Sequence, residues 1–169
     1  SLGWYHSQIL KNAQQIRLQV GIRGIRANQY LAKYGRKIGP DPASTDSAMI
    51  GGIISNNASG MSCGTHENSY RTIADARIIL ADGTILDTAD PESVKSFRSS
   101  HKDMIEKLEN ISKKIAARPE LRERIIKKYS IKNTTGYGLN SFVDYTDGID
   151  IIKHIIVGAE GTLAFISDV

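Results

Sequence analysis

Cysteine is almost missing from this sequence: Cys63 stands alone among 169 residues, which excludes an internal disulfide and any zinc or iron–sulfur site built from its own cysteines. No apolar run approaches the roughly 18 residues a membrane-spanning helix needs. The opening Ser1-Leu2-Gly3-Trp4-Tyr5 lacks the charged and hydrophobic regions of a secretion signal. The nucleotide fingerprints GxGxxG and GxxxxGK[ST] are absent, so neither a Rossmann dinucleotide fold nor a P-loop is indicated. HExxH and GxSxG are absent too, and His6, His66, His101 and His154 show no close ligand spacing. Internal repeats and low-complexity tracts are also lacking.

What is present is an ordinary globular composition, 40% hydrophobic and 24% charged, at the length of one domain. The net charge of +4 is unevenly spread. Lys113, Lys114, Arg118, Arg122, Arg124, Lys127, Lys128 and Lys132 crowd one stretch, where Met104, Leu108, Ile111 and Ile115 recur at helical spacing. A solvated helix face is the plainest reading; an anionic membrane or an acidic partner domain would meet the same charges. Aromatic residues are not interleaved as a base-stacking platform requires, which argues against nucleic acid.

Ile16, Leu18, Val20 and Ile22 alternate with polar residues or glycine as in a half-buried strand. Ala27, Tyr30, Leu31 and Tyr34 then form a helical stripe closed by Gly35. Gly39-Pro40-Asp41-Pro42 is a rigid turn. The twenty residues between Asp46 and Glu67 carry no Lys, Arg, Asp or Glu, and their small side chains allow another group close to the backbone. Cys63 within this segment reads as a small packing residue rather than a reactive thiol. Ala76, Ile78 and Leu80, the Asp82-Gly83 turn and Thr84-Ile85-Leu86 form a hairpin signal. Helices are expected over 92–117 and 119–129, followed by a polar loop over 133–140. Residues 149–157 fit a short helix or a buried strand. Residues 158–161 read as a turn, and Thr162 to Val169 as a last strand.

Taken together, KIGPDPAS, MIGGIISNNASGMSCGTHENSYRT, ILADGTILDT and GAEGTLAFI resemble FAD-linked oxidases of the vanillyl-alcohol oxidase and p-cresol methylhydroxylase (PCMH) superfamily. Within it the likeness is to D-lactate and glycolate dehydrogenase flavoproteins, particularly the long form that also carries an iron–sulfur domain. The order and spacing of the IGG, NASG and EGTL strings carry the resemblance. It implies an α+β fold: the second subdomain of a PCMH-type FAD-binding domain, a mixed or antiparallel sheet flanked by helices, with a helical insertion at about 92–129. Residues 1–169 would form one partial FAD-binding domain. The diphosphate-binding subdomain and the substrate cap would lie elsewhere in a longer protein.

The resemblance also implies cofactor contacts. Pro42, Ser44 and Ser47 would line a wall beside the flavin, and Met49, Ile50, Gly51 and Gly52 would pass under the ribityl and diphosphate portion as a loop. Asn56, Asn57, Ala58, Ser59 and Gly60 would form a second loop against FAD. Glu160, Gly161, Thr162, Leu163 and Ile166 would close over the adenosine and flavin side. Met49, Leu163 and Ile166 suit core and contact roles equally. No catalytic residue and no metal ligand is named. The parent would oxidise a small 2-hydroxy acid such as D-lactate or glycolate and pass electrons to a carrier or quinone. It would sit in the cytoplasm or peripherally at the inner membrane face, with any iron–sulfur cluster elsewhere in the protein. The isolated chain is expected to hold FAD weakly or not at all and to be inactive. The alternatives are a non-catalytic interaction domain using the basic face, or a flavoprotein of the same superfamily acting on another alcohol.

Overall fold

A computed structural model describes residues 3–169. The chain opens with a hairpin: β1 (Ser7–Leu10) pairs antiparallel with β2 (Gln15–Leu18). β1 was not expected; its residues are polar on one side and too few for a periodic signal. Helix α1 (Gly24–Ala32) follows, burying Ala27 and Leu31, and Gly35 takes φ +65° just beyond its end. Tyr34 is exposed and lies outside the helix.

Residues 49–52 are not a loop, as the IGG string suggested. They begin a short helix, α2 (Ile50–Ser55). Ile50, Ile53 and Ile54, spaced i, i+3 and i+4, are all buried, and that burial overrides the poor helix propensity of Gly51 and Gly52. Another short helix, α3 (Ser69–Thr72), is capped by the Asn68 carboxamide, which accepts the Arg71 N–H at 2.9 Å.

The hairpin at Asp82-Gly83 forms as expected. β3 (Arg77–Ile79) and β4 (Ile85–Asp87) pair antiparallel, with Ile79 opposite Ile85 and Gly83 at φ +85°. The last strand, β5 (Phe165–Asp168), joins β3 antiparallel, so the strand order is β4-β3-β5. The end of β2 and the residues after it run along the free edge of β5: Leu18 and Val169 exchange backbone bonds at 2.7 and 3.0 Å, and the Val20 N–H donates to Ser167 O at 3.2 Å. Ile78, Leu86 and Ile166 fill the inner face of the sheet, against α1, α2 and the helices that follow.

The expected helix over 92–117 is two helices, α4 (Pro91–Ser100) and α5 (Lys102–Ala116), broken at His101. The break has a visible cause. The His101 ring stacks on Phe97 with centroids 4.4 Å apart, and its Nε2 reaches Asp82 Oδ2 at 3.0 Å, which pins the chain to the β3–β4 turn. The stripe on α5 is also rotated from the expected one: Met104 and Ile111 are exposed, while Ile105, Ser112 and Ile115 are buried. Ser112 belongs to the inner face because its hydroxyl donates to the carbonyls of Phe142 and Tyr145, at 2.9 and 3.1 Å.

Helix α6 (Pro119–Tyr129) has the expected bounds. It is followed by the polar loop, α7 (Ser141–Asp144) and α8 (Gly148–Ile155), so residues 149–157 are mainly helical. Asp147 caps α8 by accepting the N–H groups of Ile149 and Asp150. Ile115, Ile125, Phe142 and Ile151 make a second small core that packs α5, α6 and α7 onto α8. The result is the α+β architecture expected, with small antiparallel sheets flanked by helices and a helical insertion.

His154 on α8 is buried, stacked on Tyr145 with centroids 3.9 Å apart and edge-on to Tyr70 at 5.2 Å. Tyr70 in turn donates its hydroxyl to Asp144 Oδ2 at 2.8 Å. Desolvation holds the His154 imidazole below its ordinary value of 6.5, so at pH 7 it is neutral in the folded chain. The unfolded chain binds that proton first. The stabilisation is therefore complete above about pH 6.5 and lost as pH falls through the folded value. Urea midpoints should drop on acidification below pH 6.5, and His154→Phe should flatten that slope; an unchanged slope in the variant would assign the acid sensitivity to other groups.

Candidate functional site

The three motif segments meet around α2. At its start, the N–H groups of Ile50 and Gly51 donate to the carbonyls of Ile22 and Val20, at 2.8 and 3.0 Å. These two donors are therefore occupied and cannot serve a phosphate. At its end, the carbonyls of Ile54 and Ser55 accept the N–H groups of Gly158 and Glu160, at 3.0 and 2.9 Å. The turn at 158–161 thus caps α2, which explains its backbone: Gly158, Glu160 and Gly161 take φ +82°, +53° and +73°. A side-chain bond closes the junction, with Asn56 Nδ2 donating to Glu160 Oε1 at 2.8 Å.

The third segment reaches α2 from the proline turn. The Asp41 N–H donates to Ser59 O at 3.2 Å, and a Cβ on Gly60, which has φ +75°, would lie 1.8 Å from Asp41 O. Gly60 is therefore demanded by the approach of its own chain. Residues 42–48 form a compact turn, in which Pro42 O accepts both the N–H and the hydroxyl of Thr45. This turn leans on the first turn of α1 through Ile25 N–H to Thr45 O and Gly24 N–H to Ala48 O, both 3.0 Å.

The candidate residues separate by exposure. Ser44, Ser47, Met49, Gly52, Asn56, Glu160, Gly161, Thr162 and Leu163 lie on the exposed rim, with Gly51, Asn57, Ala58 and Gly60 half-buried behind it. Pro42, Ile50, Ser59 and Ile166 are buried, and Ile50 and Ile166 belong to the main core. Met49 and Leu163 resolve toward the surface, at 47% and 36% exposure. Gly52 is open: a Cβ there would meet nothing within 4 Å. Gly161 is equally open. Asn57, at φ +49°, turns inward and accepts the Tyr70 N–H at 3.2 Å.

Sequence reasoning missed one member of this rim. Tyr137, from the polar loop of the insertion, places its hydroxyl 2.9 Å from Thr162 Oγ1. Nothing in the loop's composition distinguishes this tyrosine. Cys63 is buried and its thiol donates to Ser59 O, a packing role as expected.

Neither described cavity coincides with the rim. The larger, about 530 Å³, lies under the aliphatic face of α2 and takes only Ile50 from the candidate set. The smaller, about 30 Å³, takes only Asn57 and lies between Asn68, Arg71 and the insertion loop. Among the described residues, no cluster of three or more His, Cys, Asp or Glu is arranged to hold a metal.

This rim, glycine-lined and clasped by three distant segments, coincides with a family match. The family described as FAD binding domain aligns with residues 5–89. The chain belongs to it. The match contains the proline turn, α2 and the NASG segment; the EGTL turn, which completes the rim, lies beyond it. Three curated relatives align with 90% of the chain over 157 residues, and each is named D-2-hydroxyglutarate dehydrogenase. Those of Haemophilus influenzae and Escherichia coli are 29% identical to it, and that of Pantoea ananatis 30%. The chain spans about 15% of the length of these relatives.

The residues present fit FAD. Backbone at Gly52 and Gly161 is free for close approach, and Met49 and Leu163 offer apolar side chains with no cover.

Proposed function

We propose that this chain is the second, cofactor-clasping subdomain of an FAD-dependent dehydrogenase that oxidises a D-2-hydroxy acid. The observation that carries this reading is the clasp around α2, which brings the motif segments together and leaves Gly52 and Gly161 each facing open space. An open rim is what one jaw of a two-part clasp presents; the other jaw, with the diphosphate loop, and the substrate cap belong to the longer protein. The relatives' names favour D-2-hydroxyglutarate as substrate. D-lactate and glycolate are smaller members of the same class, and selection among them rests with the cap.

FAD, when bound, would supply a two-electron acceptor for oxidation of the carbon bearing the hydroxyl. The chain's own residues do the rest of the work assigned here. Gly52 admits the cofactor's backbone-hugging portion. The Asn56–Glu160 bond fixes the two halves of the rim at one spacing. Met49 and Leu163 exclude water from the edge they cover. Electrons would pass on to a carrier or quinone, through an iron–sulfur cluster elsewhere in the protein if one is present, with the enzyme in the cytoplasm or peripheral to the inner face of the membrane. Alone, the chain is expected to bind FAD weakly or not at all and to show no turnover.

The test is the visible spectrum of the longer protein, recorded without oxygen before and after adding D-2-hydroxyglutarate, D-lactate or glycolate. A yellow protein bleached fastest by D-2-hydroxyglutarate is the expected result. A protein that stays colourless after FAD is supplied overturns the cofactor assignment; a yellow one bleached by none of the three overturns the substrate class.

A further inference from the structure

The basic stretch of the insertion is unlike the rest of the surface. Between Lys113 and Lys132 eight Lys and Arg stand against two Glu, a local charge of +6 in a chain whose total is +4. All eight cations are exposed. None of the eight forms an ion pair among the described residues, whereas Arg17, Lys37, Arg71, Lys95, Arg98, Lys102 and Lys153 each meet a carboxylate. Helix dipoles account for Lys113 and Lys114 in the last turn of α5 and for Lys127 and Lys128 in the last turn of α6. They do not account for Arg118, Arg122, Arg124 or Lys132.

Exposed aliphatic side chains sit among these charges. The inner face of α6 is supplied by Leu121, Ile125 and Tyr129, which pack into the second core. Ile126 is not required there and is 44% exposed; Ile131, just beyond the helix, is 70% exposed. Ile126 lies one helical turn after Arg122, and Ile131 follows Lys127 by four residues. Unpaired cations around isolated aliphatic side chains complement a surface that is anionic at its head groups and apolar just beneath. A single-stranded nucleic acid held by stacking would instead need a free aromatic face, and Tyr129 does not offer one. Its hydroxyl donates to Tyr137 O at 2.8 Å and accepts the Leu139 N–H at 3.1 Å, while the Lys128 ammonium lies 5.5 Å from its ring centroid.

We propose that the exposed face of α6 and the segment running on to Lys132 docks on an anionic lipid bilayer, with Ile126 and Ile131 entering the head-group layer. The inference deepens the peripheral-membrane location proposed above and is independent of the substrate and of the cofactor reading.

The experiment is co-sedimentation of the full-length, FAD-loaded protein with vesicles of phosphatidylcholine alone or mixed with phosphatidylglycerol, at low and high salt. Binding to the mixed vesicles only, weakened by salt, is expected. Each cation near such a surface contributes about a fivefold gain in partitioning, so the triple variant Arg122→Glu, Arg124→Glu, Lys132→Glu should bind at least about 100-fold more weakly. Ile126→Ser with Ile131→Ser, which leaves the charge unchanged, should cost about tenfold. Unaltered melting temperatures would show that both variants are folded. Equal binding to both vesicle types, no binding to either, or a charge variant that sediments like the parent overturns the proposal. So does a serine variant that binds as well as the parent, since the surface would then be a general polyanion site; a labelled oligonucleotide bound by that variant with the same salt dependence would identify it as one.

Discussion

Gly52→Ala is expected to weaken FAD binding by about 5- to 150-fold in the longer protein while leaving the fold at least as stable. The two effects separate because of where the added methyl goes. Gly52 lies in the first turn of α2, and its Cβ would meet no protein atom within 4 Å. Alanine suits a helix better than glycine by up to about 1 kcal/mol, so the apoprotein has no reason to lose stability. A methyl group intruding on a bound molecule costs about 1–3 kcal/mol, which is the stated range in dissociation constant. Fluorescence titration of the apoprotein with FAD, alongside a thermal melt, checks both halves. An unchanged dissociation constant in a folded variant would remove the cofactor from the vicinity of α2.

Gly60→Ala should behave in the opposite way, losing the fold before any question of cofactor arises. Its φ of +75° costs an alanine about 1–2 kcal/mol. The larger penalty is steric, because the new Cβ would sit 1.8 Å from Asp41 O, on a segment held by the Asp41–Ser59 backbone bond and stiffened by Pro40 and Pro42. The backbone must move, and a loss above about 4 kcal/mol is expected, a large fraction of the stability of an ordinary domain. Soluble yield and urea unfolding of the variant are the measurements. Near-native stability would mean that the proline turn is not held against the NASG segment. Two glycines eight residues apart thus carry separate duties, and flavin loss on altering Gly60 would say little about where FAD lies.

The contrast shows what the sequence could reveal of the site. The motifs picked out segments that the fold brings together, because glycines, asparagines and prolines in that order leave few backbone options. They could not say which glycine faces open space and which faces its own chain, since that depends on Asp41 arriving from the other side. The same limit explains α2: a loop is the natural reading of MIGG, and only the burial of Ile50, Ile53 and Ile54 makes it helical. In the insertion, hydrophobic spacing placed α6 correctly but rotated the inner face of α5, since Ser112 is polar by composition and internal by hydrogen bonding. The break at His101 was invisible for a related reason, as its partners Phe97 and Asp82 come from different elements. Exposure divides the other candidates in the same manner: Met49 and Leu163 face outward, and Ile166 is committed to the sheet.

Asn56 and Glu160 are 104 residues apart in sequence, yet they close the rim with one bond. On a ribosome, α2 would leave the exit tunnel long before the turn that caps its carbonyls has been synthesised. Until then those groups must be hydrated, and a six-residue helix with a hydrated end is a poor structure by itself. This edge therefore cannot close until nearly all of the segment has been translated, and a premature stop shortly before Gly158 would release a polypeptide that has the proline turn and the NASG string but neither the EGTL turn nor a finished edge.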